Sequence, residues 1–413
     1  MTLSQAVRRA PAWQRFLVVA GPGLVVMLAD TDAGSIITAA QSGAEWGYRL
    51  LLLQFALVPI LYIVQELTVR LGLVTGKGHA ELIQQHFGRA WAWFSVATLI
   101  LSCIGALLSE LSGLAGVGAM MGVPTAVTMT LVIALLLIMA YTHQYLTVER
   151  IAIGVGAFEL AFLLVAWLAQ PSGSEVAASA TAIPIADPKY LYLVSANIGA
   201  VIMPWMVFFQ QSSLVEKKLT AEDLSSARLD TAFGAVLTQL IMAAVLVAAA
   251  ATIGKAGGER ALDTVEQISE AITPFLGQIG GKVLFGFGMT GAALVATIVV
   301  TLTAARTLGE VLGVNHSLEH EPSEAPWFYG VYTVALIVGG LLVASGVNLV
   351  TLSVGVQVMN ALLLPIVLTF LFLLARRLPE PFRLKGAYAV CSGVVIAVAT
   401  ALGVYCGVAG LFG

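Results

Sequence analysis

Two stretches place chemistry inside long apolar runs. ADTDAGSIITAA, residues 29–40, carries Asp30 and Asp32 just ahead of Gly34 and Ser35, and SANIGAVIMPWMVFF, residues 195–209, carries Gly199, Met203 and Pro204. An acid at mid-bilayer costs about 2.5–3.5 kcal/mol on insertion scales and marks an ion path or a proton relay. Asp30 and Asp32 are two residues apart and so fall on different faces wherever a helix persists. Proline removes a backbone donor and clashes with the preceding turn, so the second run is expected to unwind around residues 200–203. Unwound backbone at membrane depth is tolerated where protein or a water-filled cavity satisfies it. Carbonyls freed by such breaks, together with Asp32, would make a cation site. The thioether of Met203 suits transition metals, whereas carboxylate and carbonyl oxygens suit Mg, Ca and Mn. The plainer readings stand beside this one: Pro204 as a kink, Met203 as a packing residue, and Asp30 as a partner of Arg306 or a residue of the entrance.

The elements that must hold these residues are membrane helices. Of 413 residues, 59% are hydrophobic and 10% charged, and the mean hydropathy is +0.94, whereas ordinary soluble domains carry about 25% charge. The net charge of −3 gives no footing for nucleic acid. Cys103, Cys391 and Cys406 lie in apolar runs without metal-ligand spacing and read as packing residues. A spanning helix needs about 20 apolar residues. Such runs fall near 17–39, 50–72, 92–120, 124–142, 149–170, 190–213, 229–253, 281–312, 326–345, 348–376 and 385–410, about 11 transmembrane helices in an all-α integral membrane protein. The basic N-terminal segment is read as leading into a retained first helix.

If the N-terminus is cytoplasmic, fifteen Lys and Arg fall on the inner side and five on the outer. This bias predicts a multi-pass protein of the cell (plasma) membrane with the C-terminus outside. The two interrupted runs are the first and the sixth, corresponding positions if residues 17–170 and 190–376 form two repeats and 385–410 an extra helix of one transporter domain. Interrupted helices in matching positions of two halves point to a transporter's binding site.

At these residues the sequence resembles the NRAMP family of divalent metal transporters. The family's Asp-Pro-Gly-Asn motif reads DAGS at 32–35, and its Ala-x-x-Met-Pro-His motif reads AVIMPW at 200–205. Similarity also lies in GPGLVVMLADTDAG, VQELTVRLGLVTG at 64–76, QQSSLVEK at 210–217 and VQVMNALLLP at 356–365. The resemblance runs from about residue 20 to residue 376 and implies a LeuT-like 5+5 inverted repeat with broken helices 1 and 6. It further implies a divalent ion held by the Asp32 carboxylate, by Ser35 in place of Asn, by the Met203 thioether and by the carbonyls of Ala29 and Ala200. Gln357 matches a glutamine that the family can bring to the ion, and by itself it reads equally as an interhelical hydrogen-bonding residue. Ser35 is short enough that a water may have to bridge it to the ion.

The departures concern protons. Trp205 replaces a histidine, and in SELSG only Glu110 remains of an acid pair, Gly113 standing in place of the other. Proton coupling is therefore expected to be weakened or lost, with Asp30, Glu110 and Glu159 as the remaining carriers. Met203 favours Mn or Fe as the transported ion, while Asp30 and the small Ser35 would suit the more hydrated Mg of the NRAMP-related magnesium transporters. The divalent ion is substrate and no cofactor is expected. The partners are the ion and the lipid bilayer, and a monomer suffices. A carrier of a small organic solute on the same fold is the alternative. An enzyme is disfavoured by the absence of a nucleophile motif, HExxH or Walker sequence. Three further groups are given their simplest reading: His79 and His86 as a solvated loop, Glu66 and Arg70 as an i,i+4 pair, and Arg306 as pairing with Glu310 or reaching the interface.

Overall fold

The computed structural model describes residue 26 and residues 29–142, 154–155, 157–253, 261–272, 274, 277–315 and 320–412. The first half of the first expected span and the start of the fifth lie outside these. Among the described residues the protein is helical, without strands. In chain order the helices are α1 (Ala33–Trp46), α2 (Leu51–Thr75), α3 (His79–Phe87), α4 (Arg89–Met120) and α5 (Thr125–Tyr141). Then come α6 (Ala161–Ala169), α7 (Gly173–Thr181), α8 (Pro188–Val201), α9 (Pro204–Glu216) and α10 (Leu224–Thr252). The last are α11 (Val265–Ile272), α12 (Gln278–Leu312), α13 (Pro326–Ala344), α14 (Leu349–Ala375) and α15 (Gly386–Phe412).

Eight helical stretches are long and apolar enough to cross a membrane, with Thr125–Tyr141 a shorter apolar helix, among the described residues. Their order matches that of the expected spans. The stretch Pro188–Glu216 is the innermost, with 94% of its apolar window buried against 28% for α15. The interrupted helix therefore sits in the middle of the bundle and the last helix at its lipid-facing edge.

Polar side chains fasten the helices around this centre. Gln54 on α2 donates to Asn197 Oδ1 on α8 at 2.5 Å, and Asn197 Nδ2 donates to Ser42 Oγ on α1 at 2.8 Å. Ser195 Oγ reaches the Gly403 carbonyl of α15 at 2.8 Å, and Ser102 Oγ reaches Asn360 Oδ1 between α4 and α14 at 2.7 Å. Where neither partner can turn to water, such bonds fix the relative register of neighbouring helices.

The connections hold more order than the sequence implies. Residues 171–189 contain α7, capped by Ser172, and 254–280 contain α11. His79 is not part of a solvated loop: it begins α3, is fully buried, and sits 3.0 Å through Nδ1 from Gln211 Oε1 on α9, edge-on to Phe208. His86, at the far end of α3, is exposed. Burial pushes the His79 imidazole down to about 4. The unfolded chain therefore binds the proton first, and stability is lost as pH falls below about 6.5. At pH 5.5 the loss is expected to be about 1.4 kcal/mol. Thermal unfolding of wild type and His79→Gln between pH 7.5 and 5 checks this, because the drop attributable to His79 should vanish in the variant.

Glu66 and Arg70 pair as expected, at 2.7 Å, but the pair is only part of the arrangement. Glu66 also takes Arg228 of α10 at 2.7 Å and the Tyr388 hydroxyl of α15 at 3.0 Å. One buried carboxylate thus ties α2, α10 and α15. Arg306 does not pair with Glu310: its partner is Glu216 at the end of α9, at 2.9 Å, while Glu310 accepts from Ser212 at 3.1 Å. Of the cysteines, Cys103 and Cys406 are buried and Cys391 is exposed on α15.

Candidate functional site

Both expected breaks are present. Before the first, Ala29 and Asp30 are helical, Thr31 and Asp32 are not, and α1 begins at Ala33. Asp32 is extended (φ −70°, ψ 172°) and its Oδ1 accepts the Ser35 amide at 2.6 Å. Its carboxylate is thus the N-cap of α1, satisfying one of the amides a helix start leaves open and facing the positive end of the helix dipole. The break forms without the proline of the related motif, because a capping aspartate is enough to start a helix. The second break is of the same length: α8 ends at Val201, Ile202 and Met203 are extended, and Pro204 opens α9. Proline is well suited there, since the first helical position has no use for its missing amide.

The two breaks meet. Ser35 Oγ donates to the Ala200 carbonyl at 3.0 Å, linking residues 165 apart in sequence. Glu110 Oε2 on α4 accepts the Ala33 amide at 3.0 Å, a second hold on the start of α1. Gln357 on α14 lies against both breaks. A Cβ at Gly34 would fall on its Nε2, and one at Gly199 on its backbone oxygen. Gln357 Oε1 accepts from Asn360 at 3.0 Å. Gly113, where the related motif has an acid, abuts the Cβ of Ala33, so a side chain there would displace α4 from the break. The two departures from the motif, at 33 and 113, are thus in contact.

Around this junction buried polar atoms outnumber their partners. Both carboxyl oxygens of Asp30, Ser109 Oγ and Gln357 Nε2 have no hydrogen-bond partner among the described residues, and the carboxyls of Asp32 and Glu110 face each other within hydrogen-bonding reach. Each belongs to a residue at most 1% exposed. Buried polar atoms are ordinarily paired, so such a concentration marks a place where an ion or water is taken up. Asp30, Glu110 and Glu159 all lie near enough to Asp32 for their charges to interact. None of the four forms an ion pair with a cationic side chain among those found in the described residues, and Arg306 is held by Glu216 rather than Asp30.

The remaining residues fall as follows. Met203 is fully buried and its Sδ accepts the indole N–H of Trp205 at 3.2 Å, leaving the second sulfur lone pair for another partner. Trp205, also fully buried, therefore acts on the thioether as a hydrogen-bond donor and offers no titratable group of its own. Ala29 is fully buried in the turn ahead of the first break. Glu159, at 0% exposure, accepts the Thr31 hydroxyl through Oε2 at 2.6 Å and so ties the first break to the segment before α6. This contact was not legible in the sequence beyond the presence of an acid in an apolar run. No three His, Cys, Asp or Glu side chains come together as a metal cluster among the described residues. A cation held here has to draw on one or two carboxylates and complete its shell with neutral oxygens, sulfur or water.

Comparison with known proteins bears on the fold and the family. Among solved structures, the Eremococcus coleocola manganese transporter, in complex with an aromatic bis-isothiourea compound, aligns with a TM-score of 0.76 at 19% identity, covering 97% of this chain and 89% of that one. MHP1, a nucleobase-cation-symport-1 family transporter, in a closed conformation with bromovinylhydantoin bound, aligns with a TM-score of 0.60 at 15% identity, covering 94% and 89%. At these identities the likeness is one of fold. Among curated relatives, the divalent metal cation transporter MntH of Ralstonia nicotianae is 27% identical over 307 residues, 71% of this chain and 69% of that protein. MntH of Brucella suis biovar 1 is 28% identical over 309 residues, covering 71% and 67%. The family model described as Nramp, natural resistance-associated macrophage protein-like, matches residues 23–409, and with that the chain belongs to the Nramp family.

Proposed function

We propose that this protein carries divalent metal ions, manganese first among them, across the plasma membrane by alternating access around the junction of the two broken helices. The observation that carries this reading is the Ser35–Ala200 bond, which brings the break capped by Asp32 beside the break that bears Met203. The ligands proposed are Asp32, Met203, the carbonyls of Ala29 and Ala200, and Ser35 directly or through water, with Gln357 joining when the site closes. A carboxylate gives the ion its counter-charge, and the thioether favours Mn or Fe over Mg and Ca, which gain little from sulfur. The relatives named as divalent metal transporters support this reading over that of an organic-solute carrier. The fold alone would not, since MHP1 shares it with a hydantoin bound.

Proton coupling is weak or absent in this reading, because Trp205 and Gly113 supply no proton carrier and the surviving acid Glu110 is engaged in capping α1. The N-terminus lies in the cytoplasm and, with eleven spans, the C-terminus outside, as the fifteen-to-five distribution of Lys and Arg supports.

The test of the ligand set is Met203→Ala in proteoliposomes loaded with a metal-quenched dye and a pH dye. Manganese uptake is expected to fall about tenfold, with Mg and Ca affected less, so that selectivity narrows. Unchanged Mn uptake and selectivity would remove the thioether from the account. Metal-dependent acidification well above the leak would overturn the statement on protons.

A further inference from the structure

Far from the junction, a cleft of about 710 Å³ opens between the end of α14 and the start of α15. Its rim carries Arg376, Arg383 and Lys385, and its wall Phe372, Gly393 and Val394. The connection between the two helices holds a single acid, Glu380, and Lys385 occupies it, with Nζ 2.8 Å from Oε2. That contact holds the Glu380 carboxyl below the usual carboxylate range, so the acid stays ionised and keeps to its lysine. Arg377 faces away, donating to the His86 carbonyl at 3.1 Å and lying 4.4 Å over the Phe87 ring.

Two guanidiniums are left for the cleft. Arg383 uses its Nε on the Leu378 carbonyl at 3.1 Å, which fixes the side chain and directs its terminal nitrogens elsewhere. Arg376 lies 6.0 Å over the Phe372 ring and appears in no ion pair found among the described residues. Below the rim the cleft turns apolar. Val390 and Val394 are 68% and 56% exposed on the helix that forms the bundle's lipid-facing edge. Gly393 keeps the groove deep, since a Cβ there would lie 3.2 Å from the Phe372 ring.

Two guanidiniums above an open hydrocarbon groove match one kind of molecule in both halves. A guanidinium pairs with a phosphate by two parallel hydrogen bonds, and basic pockets between membrane helices at the headgroup level take anionic lipids. We propose that this cleft binds an anionic phospholipid, its phosphate on Arg376 and Arg383 and an acyl chain against Phe372 and Gly393. The binding stands apart from transport, because no residue of the cleft belongs to the junction of the broken helices.

The test is native mass spectrometry of the detergent-purified full chain incubated with phosphatidylglycerol, with phosphatidylcholine, or with phosphatidylglycerol plus excess inorganic phosphate. Wild type is expected to retain phosphatidylglycerol about tenfold more than phosphatidylcholine, and inorganic phosphate is expected not to displace it. Arg376→Gln with Arg383→Gln should lower retention about tenfold, as should Gly393→Leu, which keeps both charges and fills the groove. Arg89→Gln with Lys218→Gln, removing the same charge elsewhere, should not. Should Gly393→Leu fail to fold, the arginine pair against its charge-matched control decides. Equal retention of both lipids, retention indifferent to the arginine pair, or displacement by phosphate alone would overturn the proposal.

Discussion

Asp32→Ala is expected to reduce manganese uptake to the leak, and Asp32→Asn to do nearly the same while leaving the protein as stable as wild type. The two variants separate the two roles the structure gives this carboxylate. Through Oδ1 it caps α1 by accepting the Ser35 amide, and the rest of the carboxyl, which lies against that of Glu110, is the part proposed to face an ion. Loss of a capping aspartate to alanine costs about 1 kcal/mol, whereas asparagine caps as well as aspartate does. Removing the charge from a buried cation contact costs about 3 kcal/mol, or about a hundredfold in affinity. Melting temperatures and initial uptake rates of both variants check this. Uptake surviving in Asp32→Asn would reduce the residue to a helix cap.

Gly199→Ala is expected to be the most destabilising glycine-to-alanine change among the described residues. A Cβ at Gly199 overlaps the Gln357 backbone oxygen and comes within 2.7 Å of the Ala361 amide nitrogen. Both obstacles are backbone, so no rotamer change relieves them and α8 must move away from α14. Overpacking typically costs 1–3 kcal/mol, and with backbone on both sides the cost here is set at over about 3 kcal/mol. Because α8 and α14 carry Ala200 and Gln357, the displacement should also lower uptake. Gly330→Ala on α13, where an added Cβ meets nothing within 4 Å, is the control and should be neutral or slightly stabilising. Thermal unfolding in detergent, monitored by size-exclusion, reads both.

The breaks were legible in the sequence because each has a local chemical cause. Pro204 cannot donate, and Asp32 ahead of a small residue can cap, so each carries its own signal within a few residues. The Glu66–Arg70 pair was legible for the same reason, as a four-residue helical spacing. What escaped has no local signature. Arg228 and Tyr388 reach Glu66 from positions 162 and 322 residues away, and Glu159 reaches Thr31 from 128. His79 looked like a loop residue because its seclusion comes from Phe208 and Gln211 on another helix, which no spacing reveals. Arg306 had a plausible partner four residues on and took Glu216 instead, because α9 ends beside it while Glu310 is bonded to Ser212. The short helices α7 and α11 carry no comparable signal, since neither is apolar enough to stand out against a polar connection.

The junction also explains how the chain tolerates its departures from the family motif. Without proline at 33, the start of α1 is held by three side chains, Asp32, Glu110 and Ser35, acting on its amides and on the opposite break. Without an acid at 113, α4 approaches Ala33 closely. Glu110 holds the start of α1 from the same helix, through Oε2.

The measurement that tests this most directly is anomalous diffraction from crystals soaked in manganese. The account predicts one strong peak between the two breaks, within coordination distance of the Asp32 carboxylate and the Met203 sulfur, and its loss in Asp32→Asn crystals. A manganese peak elsewhere in a protein that transports the ion, with the junction unoccupied, would contradict it.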